Sequence, residues 1–278
     1  MKALIVLTLT LNSILPAIQG ATLDAEALKV WTDYITAADL RMKSRLSGER
    51  PFLWIDEPSD RRQRVAAGET VIAPAIGNGL RNGPNVLIHH WMGAIFIPHG
   101  TLRQLTSILH AYDRYKDFYR PFVAESRVCA TRPTGREFAL ILQYRTMFGS
   151  YAYELEYVAR EYVVNEWRRY SIVNTPVVRE ITGYRTAAER ALPPRTGTGF
   201  VWRLHTISRY EQRENGVYLE LEALALTRNI PGPLRWMVSP LVKRMSMDSL
   251  EAALLKTRNA THAMNTMTEV LAARPWVM

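Results

Sequence analysis

Two sets of side chains are spaced as though they could do chemistry. His89, His90 and His99 lie in one apolar stretch, and Ser107, His110 and Asp113 follow it at intervals of three. A metal ion needs ligands that converge. Neighbours on an extended chain point to opposite faces, so His89 and His90 cannot share an ion. Ser107, His110 and Asp113 fall on a single helical stripe with no preorganised donors for an oxyanion, so they do not make an acyl-transfer triad. Cys129 is the sole cysteine and cannot form an internal disulfide; its neighbours Val128 and Ala130 predict a small buried side chain. No nucleophile elbow, P-loop or dinucleotide fingerprint occurs in the 278 residues. What remains is weakly polar: Thr206, Ser208 and Tyr210, on alternate positions of one segment. These groups can hydrogen-bond but are poor bases. The residues point to binding more than to catalysis, with no metal and no cofactor expected.

The elements that hold those groups are strands. Segments 199–211 and 216–228 are rich in β-branched and aromatic residues and flank Asn215-Gly216, a hairpin signal. A two-residue turn there pairs Glu214 with Val217 and sets Arg209 opposite Glu222. One face then carries Phe200, Trp202, Leu204, Thr206, Ser208 and Tyr210 against Val217, Leu219, Leu221, Ala223, Ala225 and Thr227. The other carries Arg203, His205, Arg209, Glu220 and Glu222. The first face is expected to point inward. Its middle is built of small side chains (Thr206, Ser208, Ala223 and Ala225), and a helix laid over them leaves volume that the core does not fill. This predicts a pocket lined by those residues together with Tyr144, Tyr153, Trp202, Leu204, Tyr210 and Leu221. Leu250, Leu254 and Met264 supply its roof, and Met245, Met247 and Met267 make the roof adaptable; the loop Asn229 to Pro240, with Trp236, reads either as its gate or as a helix-preceding loop that Trp236 caps. The alternative is a filled core, with Tyr144, Tyr151, Tyr153 and Tyr157 or roof residues occupying the space.

The roof is the last long pattern, Ser246 to Leu271, apolar at helical spacing through Met247, Leu250, Leu254, Met264 and Leu271. Ser246 and Asp248 suit its start. Upstream, "NVLIHHWMGAIFIPHG" reads as a strand, and Thr101 caps a helix with the stripe Leu102, Leu105, Leu109 and Tyr112. Further strands are expected near 122–130, 136–148, 151–163 and 166–178. Between helix and strands, "AYDRYKDFYRP" reads as a hinge that packs Tyr112, Tyr115, Phe118 and Tyr119 inward and leaves Asp113, Arg114, Lys116 and Asp117 in water. Leu23 to Leu46 has helical spacing and stops at Gly48 and Pro51. "FLWIDEPSD" follows as a short strand and turn, then a hairpin over 61–77 that turns near Gly68. Residues 22–84 are read as an N-terminal extension of helix plus hairpin, and 85–278 as the main domain. Antiparallel strands closed by a helix make the fold class α+β.

The chain starts "MKALIVLTLTLNSILPAIQGATLDAE", which reads as a secretory signal over 1–21: Lys2, an apolar run to Leu15, Pro16, then small residues at Gly20 and Ala21. The run is short for a membrane span, though an uncleaved anchor stays open. The expected location is therefore exported, periplasmic or secreted. The net charge is +9, carried mostly by arginines interleaved with carboxylates. No nucleic-acid motif accompanies it, so the expected electrostatic partner is an anionic membrane surface met peripherally and not a nucleic acid.

Three stretches carry a family likeness: "GAIFIPHGTLRQLTSILHAYDRYKDFYRPFVAESRV", "GVYLELEALALTRNIPGPLRWMVSPLV" and "MDSLEAALLKTRNA". Together they resemble the START-like, or SRPBCC, superfamily of helix-grip proteins, and within it the bacterial members grouped with polyketide cyclases and coenzyme-Q-binding proteins. The first is similar to the family's opening strand, helix and turn, the second to its last strand and the loop before the closing helix. The resemblance spans about residues 86–272 and leaves out the N-terminal extension and "RRYSIVNTPVVREITGYRTAAERALPPRTGTG". It implies a curved antiparallel sheet wrapped on a long C-terminal helix. It also implies a hydrophobic small molecule, such as a lipid, quinone or polyketide, held between the two. No invariant catalytic signature comes with it. Two other functions stay open: a cyclase or dehydratase-type enzyme, which needs an acid/base pair inside the pocket, and an envelope scaffold with a filled core.

Overall fold

The computed structural model describes residues 21–133, 135–146, 149–229, 244 and 246–264, with the side chains of 145, 146 and 149 excepted. The signal-like start falls outside these residues, as do Trp236, Met245, Met267 and the expected helix beyond 264.

Helix α1 (Ala25–Leu46) begins where Asp24 Oδ1 accepts the Ala27 N–H at 2.8 Å, and Gly48 turns the chain out with a φ of 82°. Its buried positions Ala27, Trp31, Tyr34, Ala38 and Met42 recur at three- and four-residue steps and so share one face. Trp54–Asp56 form a 3-10 turn, not a strand, and the hairpin expected over 61–77 is instead helix α2 (Arg61–Ala66) followed by strand β1 (Val71–Pro74). A compact turn and helix bring Arg61 back over the Trp54 ring at 4.2 Å and bury Val65, contacts an extended hairpin arm would not make. Next come β2 (Leu80–Gly83), β3 (Val86–Pro98), α3 (Leu102–His110) and the single turn α4 (Tyr115–Phe118). Four strands follow: β4 (Val123–Arg132), β5 (Gly135–Thr146), β6 (Gly149–Val163) and β7 (Arg168–Thr182). The hairpin β8 (Arg203–Arg213) and β9 (Gly216–Arg228) leads to α5 (246–264). Thr101 starts α3 with a capping box: its hydroxyl accepts the Gln104 N–H, and Gln104 Oε1 accepts the Thr101 N–H.

The strands form one antiparallel sheet in the order β1-β3-β9-β8-β7-β6-β5-β4, with β2 also paired to β3. β1 and β2 therefore join the 22–84 segment to the same sheet. Ala21–Thr22 pairs with Thr196–Gly197 and ties the start of the described chain to the β7–β8 connection. Helix α5 lies on one sheet face and α1 on the other, an α+β helix-grip arrangement with a second helix on its back.

The β8–β9 register differs by two residues from that expected. Arg213 pairs with Gly216, so the turn is Glu214-Asn215, and Arg209 faces Glu220. Gly216 is drawn into the ladder because it lies against β3: a Cβ there would meet the Ile97 carbonyl oxygen at 2.3 Å, at a φ of 153°. His99 N–H donates to the Asn215 carbonyl at 2.8 Å and holds the turn against β3. A slip of two preserves the faces, whereas a slip of one would have exchanged them. Cys129 is exposed and not buried: β4 is an edge strand, and the cysteine sits in a register shift between Val128 and Ala130. Among the described residues, no helix is long and apolar enough to cross a membrane.

Candidate functional site

The face under α5 carries two packed clusters. One joins Trp91, Ile95 and Ile97 of β3 and Leu219 of β9 to Leu250 and Leu254. The other joins Phe138, Leu140, Leu142, Tyr153, Leu155 and Val178 to Tyr112 of the hinge, with Tyr115, Tyr119, Tyr144 and Tyr157 packed against it. In the hinge the Tyr112 ring stacks on Phe138 at 4.2 Å, and Asp113, Arg114 and Asp117 are exposed; Lys116, expected in water, is half-buried, and so is Phe118, whose ring carries the Arg114 guanidinium at 5.0 Å. Between the clusters run β8 and β9, and there burial alternates in an unusual sense. Leu204, Thr206, Leu221, Ala223 and Ala225, facing α5, are only half-buried. Ile207, Arg209, Glu220, Glu222, Leu224 and Leu226, facing α1, are buried. Central strands covered on both faces should be close-packed on both. On the α5 side Leu221 and Ala223 pack against the Leu250–Leu254 cluster and Leu204 against the Phe138 cluster, yet each keeps accessible surface.

The tyrosines border the same face. Protein surrounds Tyr115, Tyr119, Tyr144 and Tyr157 closely enough to raise their phenols, to about 12 for Tyr119 and Tyr144. Each nonetheless keeps accessible surface. Tyr119 OH meets Thr257 Oγ1 of α5 at 2.9 Å, and Tyr115 OH donates to the Leu109 carbonyl at 2.6 Å, so these walls are tied to both helices.

The expected lining separates into three groups. Tyr144, Leu204, Thr206, Leu221, Ala223 and Ala225 lie on the face under α5 and are half-buried, as is Met264 on α5. Tyr153, Ser208, Tyr210, Leu250 and Leu254 are buried and form walls or packing. Trp202 is elsewhere: it joins the core beneath α1. It precedes the first β8 residue and so escapes that strand's alternation. Its ring closes on Gly199, where a Cβ would come within 2.8 Å of it. Trp236 lies outside the described residues. Tyr115 and Tyr119 read from the sequence as hinge residues, with a direct ligand contact by one of the hinge tyrosines as the alternative; their i, i+4 spacing ahead of a proline is the signal that both rings turn the same way.

Polar groups on this face already have partners. Tyr210 OH donates to Glu161 Oε1 at 2.8 Å, and Glu161 Oε2 meets His110 Nε2 at 2.8 Å. Glu180 accepts the Thr198 N–H and Oγ–H at 2.8 and 2.7 Å. His89 Nε2 meets Thr227 Oγ1 at 3.1 Å and its Nδ1 meets Ser246 Oγ at 3.4 Å; burial lowers its pKa to about 4 and keeps it neutral.

The opposite face is a buried ionic network, not a solvent surface. Arg209 donates to Glu220 at 3.1 Å and to Glu222 at 2.8 Å. Glu220 also accepts the N–H groups of Trp54 and Ile55 at 2.9 and 2.8 Å. His90 bridges Glu222 at 3.0 Å and Tyr34 of α1 at 2.9 Å, so His89 and His90 do point to opposite faces. Burial acts to raise both carboxyls. It prevails at Glu220; at Glu222, His90 and Arg209 outweigh it and hold that carboxyl well below the usual range.

No family model matches the chain, and no curated protein matches it. Solved structures with some likeness include a STAR-related lipid transfer protein fragment from Xanthomonas axonopodis, at 14% identity and a TM-score of 0.46 over 69% of this chain and 98% of that one. Human STARD10 aligns at 11% identity and 0.40, over 80% and 86% of the two chains. The Zhui aromatase/cyclase from a Streptomyces species aligns at 10% identity and 0.38, over 63% and 94%.

Proposed function

We propose that this START-like, helix-grip chain binds a hydrophobic small molecule, of the lipid, quinone or polyketide kind, between α5 and the middle of its sheet. The observation that carries the reading is the half-burial of Thr206, Ala223 and Ala225 on central strands whose other face is closed. An apolar guest covering those side chains and the tyrosine rings gains about 25 cal/mol for each Å² removed from water. Binding is favoured over catalysis because the carboxylates near this face, Glu161 and Glu180, are each held by neighbouring donors. With the signal-like start, the site belongs to an exported protein.

The test is a titration of the full chain with N-phenyl-1-naphthylamine, an uncharged dye that brightens in apolar surroundings. A saturable 1:1 rise, weakened about 10-fold or more in Thr206→Trp and Ala223→Trp, supports the reading. A rise that never saturates, or one that both variants leave unchanged, refutes it.

A further inference from the structure

A concavity of about 320 Å³ lies at the edge of the sheet where the hinge meets β4 and β5. Lys116, Arg120 and Arg185 line it, over a floor that includes Val123 and Gln143, and Glu125 is its one carboxylate. The lining therefore carries a surplus of positive charge in a recess. Three other arginines on this part of the surface are neutralised: Arg127 pairs with Glu154 at 2.7 Å, Arg132 with Glu137 at 2.6 Å and Arg179 with Glu156 at 2.6 Å. Among the described residues, neither the Arg120 nor the Arg185 guanidinium has a carboxylate within ion-pair distance; Glu189 Oε2 accepts the Arg185 backbone N–H at 2.7 Å, and the Arg185 guanidinium lies over the Tyr184 ring at 5.3 Å. Glu125 reaches Lys116 only at 4.0 Å. The recess is also built. Arg120 Nε donates to the Lys116 carbonyl at 2.9 Å, and Gln143 Nε2 donates to the Pro121 carbonyl at 2.8 Å, which fixes the segment that carries Lys116 and Arg120; Arg185 comes from the turn that follows β7.

We propose that this recess is a binding site for a phosphate group, separate from the apolar cavity. Two guanidinium forks and an ammonium around a concave floor match a tetrahedral oxyanion, which accepts several charge-assisted hydrogen bonds at once. The group comes from a soluble phosphate ester or from a phospholipid head group. The second would set the edge of the sheet against an anionic membrane surface.

Two probes separate the sources: calorimetric titration of the full chain with glycerol 3-phosphate, and flotation with vesicles of phosphatidylglycerol in phosphatidylcholine. Arg120→Ala/Arg185→Ala is expected to weaken the bound probe about 10-fold or more. Arg62→Ala/Arg64→Ala removes the same charge elsewhere and should change binding less than about 2-fold. Glu125→Gln, which deletes the lone anion and leaves the lining in place, should tighten it. Flotation that glycerol 3-phosphate competes away assigns the head group; titration without flotation assigns the soluble ester. If the wild-type chain binds neither probe, or if both arginine pairs weaken binding equally, the site does not exist.

Discussion

Adding carbon to two positions on the same sheet face should change stability in opposite directions. Gly93 lies directly under α5: a Cβ there would stand 2.7 Å from Leu254 Cδ1, 2.9 Å from Ile72 Cδ1 and 3.0 Å from Leu250 Cγ. Gly93→Ala must therefore push the helix away. Overpacking of that kind costs about 1–3 kcal/mol, of which stiffening the unfolded chain returns about 0.4–1 kcal/mol. Ala223 lies on the adjacent strand, half-buried, between Thr206 and Trp91. Ala223→Leu adds three carbons, each worth about 0.8 kcal/mol when buried in empty space, so the gain is bounded near 2 kcal/mol. In a filled interior the same change would cost about 1–3 kcal/mol. The assay is urea unfolding of protein refolded from denaturant, so that no guest is carried along, with midpoints compared at unchanged slope. A lower midpoint for Gly93→Ala and a higher one for Ala223→Leu are expected. If Ala223→Leu loses as much stability as Gly93→Ala, no space lies beneath α5 and the reasoning fails.

Other parts of the fold give further expectations. Arg209→Met leaves Glu220 and Glu222 buried without their guanidinium and should destabilise the chain by about 3–5 kcal/mol in the same unfolding assay; a loss under about 1 kcal/mol would mean that the network does not hold charge. His89 is buried neutral, with its pKa lowered from 6.5 to about 4, so across that interval the unfolded chain binds a proton that the folded one refuses. Its contribution is full above about pH 6.5 and falls by about 3 kcal/mol as the pH drops toward 4. Stability curves for wild type and His89→Gln should converge on acidification, and parallel curves would contradict the assignment. Thr101→Ala breaks the capping box of α3 and should cost about 1 kcal/mol, read from the shift in urea midpoint.

Much of this was legible in the chain, for reasons that particular residues make plain. The period-2 pattern of β8 and β9 separated Thr206, Ala223 and Ala225 from Arg209 and Glu222 correctly even though the turn was misplaced, because a shift of two residues leaves parity intact. What lay on the charged face was not legible. Arg203, His205, Arg209, Glu220 and Glu222 look like a solvent surface, yet they are buried, most of them in polar contacts that include the backbone of Trp54 and Ile55. Pairing partners 165 and 166 residues apart leave no local trace in the sequence. The helix over 61–66 was missed because its stabilising contact, Arg61 on Trp54, is tertiary and not periodic. Trp202 was misassigned for the converse reason: strand alternation was extended past the end of the strand.

The claim on which the function turns is that the interior beneath α5 is occupied in the cell. Native mass spectrometry of the full chain, purified from the producing cells without detergent exchange, tests it most directly. The account predicts a resolved adduct of one hydrophobic molecule per chain, extractable into organic solvent and absent from Ala223→Trp. A bare polypeptide mass for the wild-type chain, together with no saturable uptake of the naphthylamine dye, would contradict it.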